Sequence, residues 1–191
     1  KDVKNNSAIA KLVTIGKEVW VATGEGQIQI WDRKRKELKE VLRERHSGII
    51  SSMVLFTVLN HRQEEELRLV TASTDFTIRI WDVARKKTLH KMTHLKFWVN
   101  SLAAMGNTIV SGSDDSMLSF WSLDGQLNHS FKAHTQGITN VKYDPISDLL
   151  WTSGREGKVK IWSSDGDLIK TIDNLNIPPH LMCIAGDHVF L

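Results

Sequence analysis

Apolar and polar residues alternate in short runs along this chain, as in Gln27-Ile28-Gln29-Ile30-Trp31, Thr77-Ile78-Arg79-Ile80-Trp81 and Val159-Lys160-Ile161-Trp162. A period of two puts successive side chains on opposite faces of an extended backbone, so these runs predict half-buried β-strands. They also end alike. The segments GEGQIQIWD, TDFTIRIWD, DDSMLSFWS and REGKVKIWS close on Trp31, Trp81, Trp121 and Trp162. A spacing of roughly forty to fifty residues is too short for a βαβ domain and right for one four-stranded sheet per repeat.

Turn residues divide each unit further. Around Trp121 the pattern predicts strands near Val99–Met105, Thr108–Gly112, Met117–Ser122 and Gln126–Lys132, separated by Gly106-Asn107, Asp114-Asp115 and Asp124-Gly125. Around Trp162 it predicts strands near Ile138–Asp144, Leu149–Ser153, Lys158–Ser163 and Leu168–Asp173, the last hairpin turning at Asp165-Gly166. The stretch RKRKELKEVLRER is charged on nearly all sides and lacks an apolar stripe, so it reads as a hairpin of third and fourth strands rather than a helix. The units span roughly 8–45, 46–93, 94–133 and 134–174, and PPHLMCIAGDHVFL, within an incomplete fifth unit at 175–191, predicts two more strands. The whole of 1–191 reads as one folded unit.

With these motifs the chain resembles the WD-repeat β-propeller family, over almost its whole length. The resemblance implies an all-β fold of four-stranded antiparallel blades, a partial ring of about four and a half blades cut from a larger ring of seven. It also implies a histidine before the first strand of each unit, a hydroxyl in the second, an acid in the next turn and the closing tryptophan, joined as a buried hydrogen-bonded chain. The second unit matches with His46, Thr71, Asp75 and Trp81; the third with His94, Ser111, Asp115 and Trp121; the fourth with His134, Thr152 and Trp162. In the fourth, Glu156 replaces the aspartate, which is expected to weaken the bond geometry. The first has Val21 for the hydroxyl, Glu25 for the acid and no histidine upstream, so it is expected to lack the network.

Asp115, His94 and Ser111 also have the residue types of a hydrolase triad. Near-copies at one repeat period, each ending on a tryptophan that meets the hydroxyl, fit a structural fastener instead. The 8 histidines form no metal-ligand spacing, and GEGQIQ lacks the helix a phosphate loop needs. No catalytic residue, cofactor or metal is expected, and the function implied is a protein-protein interaction scaffold.

Two surfaces compete for a partner. The family's frequent contact positions, carried over onto this sequence, are Ile49, Ser51 and Thr74; Trp98, Asn100 and Asp114; and Gly137, Thr139 and Arg155. Trp98 stands apart from the repeat-ending tryptophans, and Val99 beside it is in phase with the core. It is either an anchor for a protein or peptide ligand or, with Phe97, packing beneath a loop. At the other rim, Arg33, Lys34, Arg35, Lys36, Arg85, Lys86 and Lys87 form a possible basic patch for phosphoinositides, anionic membrane or nucleic acid, with Glu64, Glu65 and Glu66 expected to neutralise it.

Composition narrows this only modestly. Hydrophobic residues are 41% and charged residues 25%, an ordinary folded balance, and Lys+Arg 25 against Asp+Glu 22 is too even to name a polyanion as partner. The single cysteine, Cys183, excludes an intrachain disulfide scaffold and implies a reducing compartment or an indifferent one, and a cytoplasmic setting is expected. The opening KDVKNNSAIAK has no initiator methionine and no apolar signal core, so further blades or domains of the same chain are expected, and a regulatory domain attached to an enzyme outside this segment is an alternative reading to the scaffold.

Overall fold

The computed structural model describes residues 8–93, 95–173, 182–185 and 188–190. Among them there is no helix. Sixteen strands form four antiparallel sheets, each in simple sequence order. The first holds β1 (Ile9–Ile15), β2 (Glu18–Thr23), β3 (Ile28–Asp32) and β4 (Glu37–Val41); the second β5 (Ile50–Leu59), β6 (Glu65–Ser73), β7 (Ile78–Asp82) and β8 (Lys87–Met92). The third holds β9 (Val99–Met105), β10 (Thr108–Ser113), β11 (Met117–Ser122) and β12 (Leu127–Lys132); the fourth β13 (Ile138–Asp144), β14 (Leu149–Gly154), β15 (Val159–Ser163) and β16 (Leu168–Ile172). A further hairpin pairs β17 (Cys183–Ala185) with β18 (His188–Phe190), and β17 lies beside β13. These sheets are the blades of a β-propeller. The charged stretch after Trp31 forms the β3–β4 hairpin expected of it.

Alternation explains how one sheet serves two neighbours. Leu69 and Trp81 of the second blade pack toward Trp20, Ala22, Ile28 and Ile30 of the first. From the other face of the same blade, Val70, Ala72, Ile78 and Ile80 pack toward Val99, Leu102, Ile109 and Trp121 of the third. The third and fourth blades repeat the arrangement with Val110, Leu118 and Phe120 against Ile138, Val141, Leu150 and Trp162. The core therefore lies between blades, and each closing tryptophan of the second, third and fourth seals the wedge with the blade before it.

Inner strands β1, β5, β9 and β13 stand side by side along the ring. Each carries a register shift one residue in, at Ala10, Ser51, Asn100 and Thr139. At these bulges polar side chains bond across to the next blade. Ser51 Oγ donates to the Val99 carbonyl and Asn100 Nδ2 to the Ile138 carbonyl at 2.9 Å. One residue on, Ser52 Oγ accepts from the Leu102 N–H at 3.1 Å and Ser101 Oγ from the Val141 N–H at 3.0 Å. The first blade has Ala10 and Lys11 at these positions, and alanine has no such group to offer.

The insertion NHRQEEELRL lengthens the second blade's inner hairpin. β5 has 10 residues and β6 has 9, against 7 and 6 in the third blade. Asn60 holds the tip, its Oδ1 accepting from the Arg62 and Glu64 N–H groups and its Nδ2 donating to Glu64 and Glu66.

Candidate interaction face

The loops that enter the inner strands and the β2–β3, β6–β7, β10–β11 and β14–β15 turns share one end of the blades. In the second blade the network that holds this end is complete. Trp81 Nε1 donates to Thr71 Oγ1 at 2.9 Å, Thr71 Oγ1 meets His46 Nε2 at 2.7 Å, and His46 Nδ1 lies 3.1 and 3.2 Å from the two Asp75 oxygens. Direction follows from chemistry. The indole can only donate, so Thr71 Oγ1 accepts from it and its O–H is free to donate onward to Nε2 of an imidazole that burial keeps neutral, with its proton on Nδ1 facing Asp75. Burial lowers the His46 pKa to about 4 against the opposing pull of Asp75, with Arg79 and Lys91 adding to the lowering. Burial alone would raise the Asp75 carboxyl, but hydrogen bonds from the Thr77 hydroxyl, the Ser47 backbone and His46 overcome it and hold the group at about 2.

The fourth blade runs the same chain with a glutamate. Trp162 Nε1 donates to Thr152 Oγ1 at 2.8 Å, Thr152 Oγ1 meets His134 Nε2 at 2.8 Å, and His134 Nδ1 meets Glu156 Oε1 at 2.6 Å. The longer side chain thus reaches its histidine, and the expected weakening falls on its other oxygen. Glu156 Oε2 is buried with no hydrogen-bond partner among the described residues, whereas both Asp75 oxygens are engaged. Burial lowers His134 as it does His46. In the third blade Trp121 Nε1 donates to Ser111 Oγ at 2.8 Å, and Asp115 accepts from Ser113 Oγ and the Met117 N–H; His94 lies outside the described residues. Among the described residues the first blade has no such chain. Trp31 donates to Gln29 at 3.1 Å, and Glu25 is exposed.

Most polar groups among the carried-over contact positions are occupied within the fold. Thr74 Oγ1 accepts from the Ile49 N–H at 3.0 Å, Ser51 and Asn100 bridge to the next blade, and Thr139 Oγ1 meets Ser153 Oγ at 2.8 Å. Gly137 lies so close to Asp114 that a Cβ there would meet its Oδ1 at 2.9 Å. Asp114 pairs with Arg155 at 2.5 Å and accepts from Asn100 at 3.3 Å. Beside the half-exposed Arg155 and the exposed Lys96, what the face offers outward is apolar. Ile49 is 51% exposed and Trp98 47%, and Phe97 beside it is exposed to a similar degree. Trp98, Phe97, Phe76, Lys96 and Asp114 line a cleft of about 320 Å³. Phe76 was not legible as a site residue from alternation or turn composition; the signal was a bulky residue at the turn position that is Gly26 in the first unit and Gly157 in the fourth.

At the opposite end the basic side chains are partly neutralised. Lys86 pairs with Glu40 at 2.6 Å, Arg85 with Asp82 at 3.5 Å and Lys39 with Glu18 at 2.5 Å. Asp32 caps the Arg33–Lys36 turn, accepting from the Lys34 and Arg35 N–H groups. Glu66 engages Arg68 within its own hairpin. Among the described residues no cluster of three or more His, Cys, Asp or Glu side chains is placed to hold a metal.

The WD domain, G-beta repeat family model matches residues 38–82, 86–122 and 125–163. The chain belongs to the WD40 repeat family. Each matched WD40 repeat begins at the outer strand of one blade and ends on the third strand of the next, so consecutive repeats interlock through the sheets. Among similar proteins, the DENN domain and WD repeat-containing protein SCD1 of Arabidopsis thaliana is 24% identical over 85% of this chain and 13% of its own length. The nuclear distribution protein nudF of Aspergillus niger is 28% identical over 76% of this chain and 37% of its own. Human kinesin-like protein KIF21B is 24% identical over 92% of this chain and 11% of its own. The chain thus spans well under half the length of these relatives. The crystal structure of the computationally designed Ika4 protein matches its WD40 fold with a TM-score of 0.70 and 21% identity, covering 84% of this chain and 94% of that one.

Proposed function

We propose that this chain is a non-catalytic protein-interaction module whose binding face is the end carrying Ile49, Trp98 and Arg155. WD40 domains generally bind protein partners. The observation that carries the assignment to this end is the half-exposed Trp98 beside Phe97 on a loop pinned from below, the Asp114 N–H donating to the Trp98 carbonyl at 2.9 Å. A large rigid aromatic side chain anchors an interface at little entropic cost. The basic rim supports a membrane reading less well, because Lys86 and Arg85 already face carboxylates. The module sits within a longer protein, as the matching segments of SCD1 and KIF21B do, and works in a reducing, cytoplasmic setting consistent with a single cysteine.

The test selects displayed random peptides on the wild-type chain and measures their affinity for variants. Trp98→Ala should weaken binding by about 2 kcal/mol or more with little change in melting temperature, while reversing the four charges Arg33 to Lys36 should matter less. If Trp98→Ala instead lowers the melting temperature and the folded fraction binds normally, Trp98 is packing and the assignment fails.

A further inference from the structure

The β2–β3, β6–β7, β10–β11 and β14–β15 turns share one backbone corner. The residue at the corner is left-handed in all four blades: Gly26 at φ 77°, Phe76 at 63°, Ser116 at 74° and Gly157 at 78°. Glycine takes this conformation without strain, and a bulky side chain does not. Phe76 is nevertheless the residue of the second blade. Its ring is 41% exposed and belongs to none of the buried clusters, so packing within the fold does not account for it. It borders the same cleft as Phe97 and Trp98, on the neighbouring loop. Three large rings, each nearly half open to solvent, thus surround a space suited to one large side chain.

The charge around the cleft is uneven. Asp114 is answered inside the protein by Arg155 at 2.5 Å and Asn100 at 3.3 Å. Lys96 is exposed and has no ion pair among the described residues. Lys96 is thus the exposed cation at the mouth that is free to meet a carboxylate. Resting on the reading of this end as the interaction face, we propose that the cleft of Phe76, Phe97 and Trp98 takes a bulky apolar or aromatic side chain of a protein segment whose adjacent residue is acidic and pairs with Lys96. The corner holds its form without ligand, through the Phe76 N–H to the Ser73 carbonyl and Asp75 behind it, so little ordering is left for binding to bring about.

Phe76→Gly makes an unusually clean variant, since it removes the ring and relieves the left-handed corner at once. Random dodecapeptides displayed against the wild-type chain should converge on an aromatic or leucine next to Asp or Glu. A synthetic peptide of that consensus should bind Phe76→Gly about tenfold more weakly, with a melting temperature equal to or above wild type. Lys96→Glu should weaken it more than Lys96→Gln, and a peptide with its acids changed to lysine should prefer Lys96→Glu over wild type. Peptides that depend on Trp98 while ignoring Phe76 and Lys96, or that show no acidic preference, overturn this inference and leave the interaction face standing. Peptides indifferent to Trp98 as well, or a selection that enriches nothing, overturn both. Binding of phosphatidylserine vesicles that requires Phe76 and Trp98, with no peptide enriched, assigns the cleft to a membrane and equally overturns it.

Discussion

At the residue scale, the fold depends on hydrogen bonds whose direction is set by a donor that cannot accept. The indole N–H of Trp81 starts the relay and a carboxylate ends it, with His46 between them held neutral by burial. Removing the carboxylate leaves His46 Nδ1 only the Thr77 hydroxyl, at 3.0 Å, and strips the Ser47 and Thr77 N–H groups of their acceptor. Asp75→Ala should therefore cost on the order of 2–3 kcal/mol, while Glu25→Ala at the exposed matching position of the first blade should cost well under 1. Equal shifts of denaturant midpoint would mean that the relay is not what holds the turn. The same relay sets a pH dependence. His46 binds its proton at about 4 in the folded chain and near 6.5 when unfolded, so between those values the unfolded state holds more protons. Stability should be flat above that window and fall as pH drops through it, by an amount on the order of 3 kcal/mol from this group, with His134 shifting the same way. Below it, loss of the Asp75 charge adds to the fall, since that carboxyl sits at about 2 instead of 3.8. Denaturant midpoints measured from pH 7.5 to 4 check the sign, and a rising or level curve would contradict it.

At the scale of the strand, period-two alternation was enough to read nearly every element, because a slip of one residue would turn the apolar residues packed between blades away from their neighbours. Two features were hidden for physical reasons. Phe76 lies in a turn whose handedness leaves no trace in hydrophobic period, and Glu156 reaches its histidine through an extra methylene that a motif match cannot measure. The cross-blade bonds of Ser51, Ser52, Asn100 and Ser101 were equally invisible, since they join inner strands roughly fifty or forty residues apart. They also single out one junction. Lys11 stands where Ser52 and Ser101 accept a backbone N–H from the next blade, so the first and second blades meet without that bond. Lys11→Ser should supply it and raise stability by about 1 kcal/mol, the net worth of one hydrogen bond, and should slow amide exchange in β5. No slowing in β5 would show that this junction is closed by apolar packing alone.

At the scale of the whole molecule, a propeller buries apolar area only where blades face one another, so any uncovered blade flank carries a core's worth of side chains. Position by position, Ile9 of β1 corresponds to Ile50, Val99 and Ile138, each fully buried, yet Ile9 is 64% exposed. Leu12 likewise corresponds to the buried Leu102 and Val141 and is 62% exposed. Burying a side chain of this kind gains about 1.5–3 kcal/mol, and an unpaired β1 edge adds hydrogen-bonding groups to the same surface. The 191-residue chain should therefore bind a fluorescent hydrophobic probe or self-associate as its concentration rises. Changing Ile9 and Leu12 together to lysine should abolish that behaviour at little cost in stability, because neither side chain is packed against the rest of the chain. Sedimentation and probe titration on both proteins decide the matter. A wild-type chain that stays monodisperse and probe-silent at high concentration would mean that its first blade is not the open flank its exposed Ile9 and Leu12 describe.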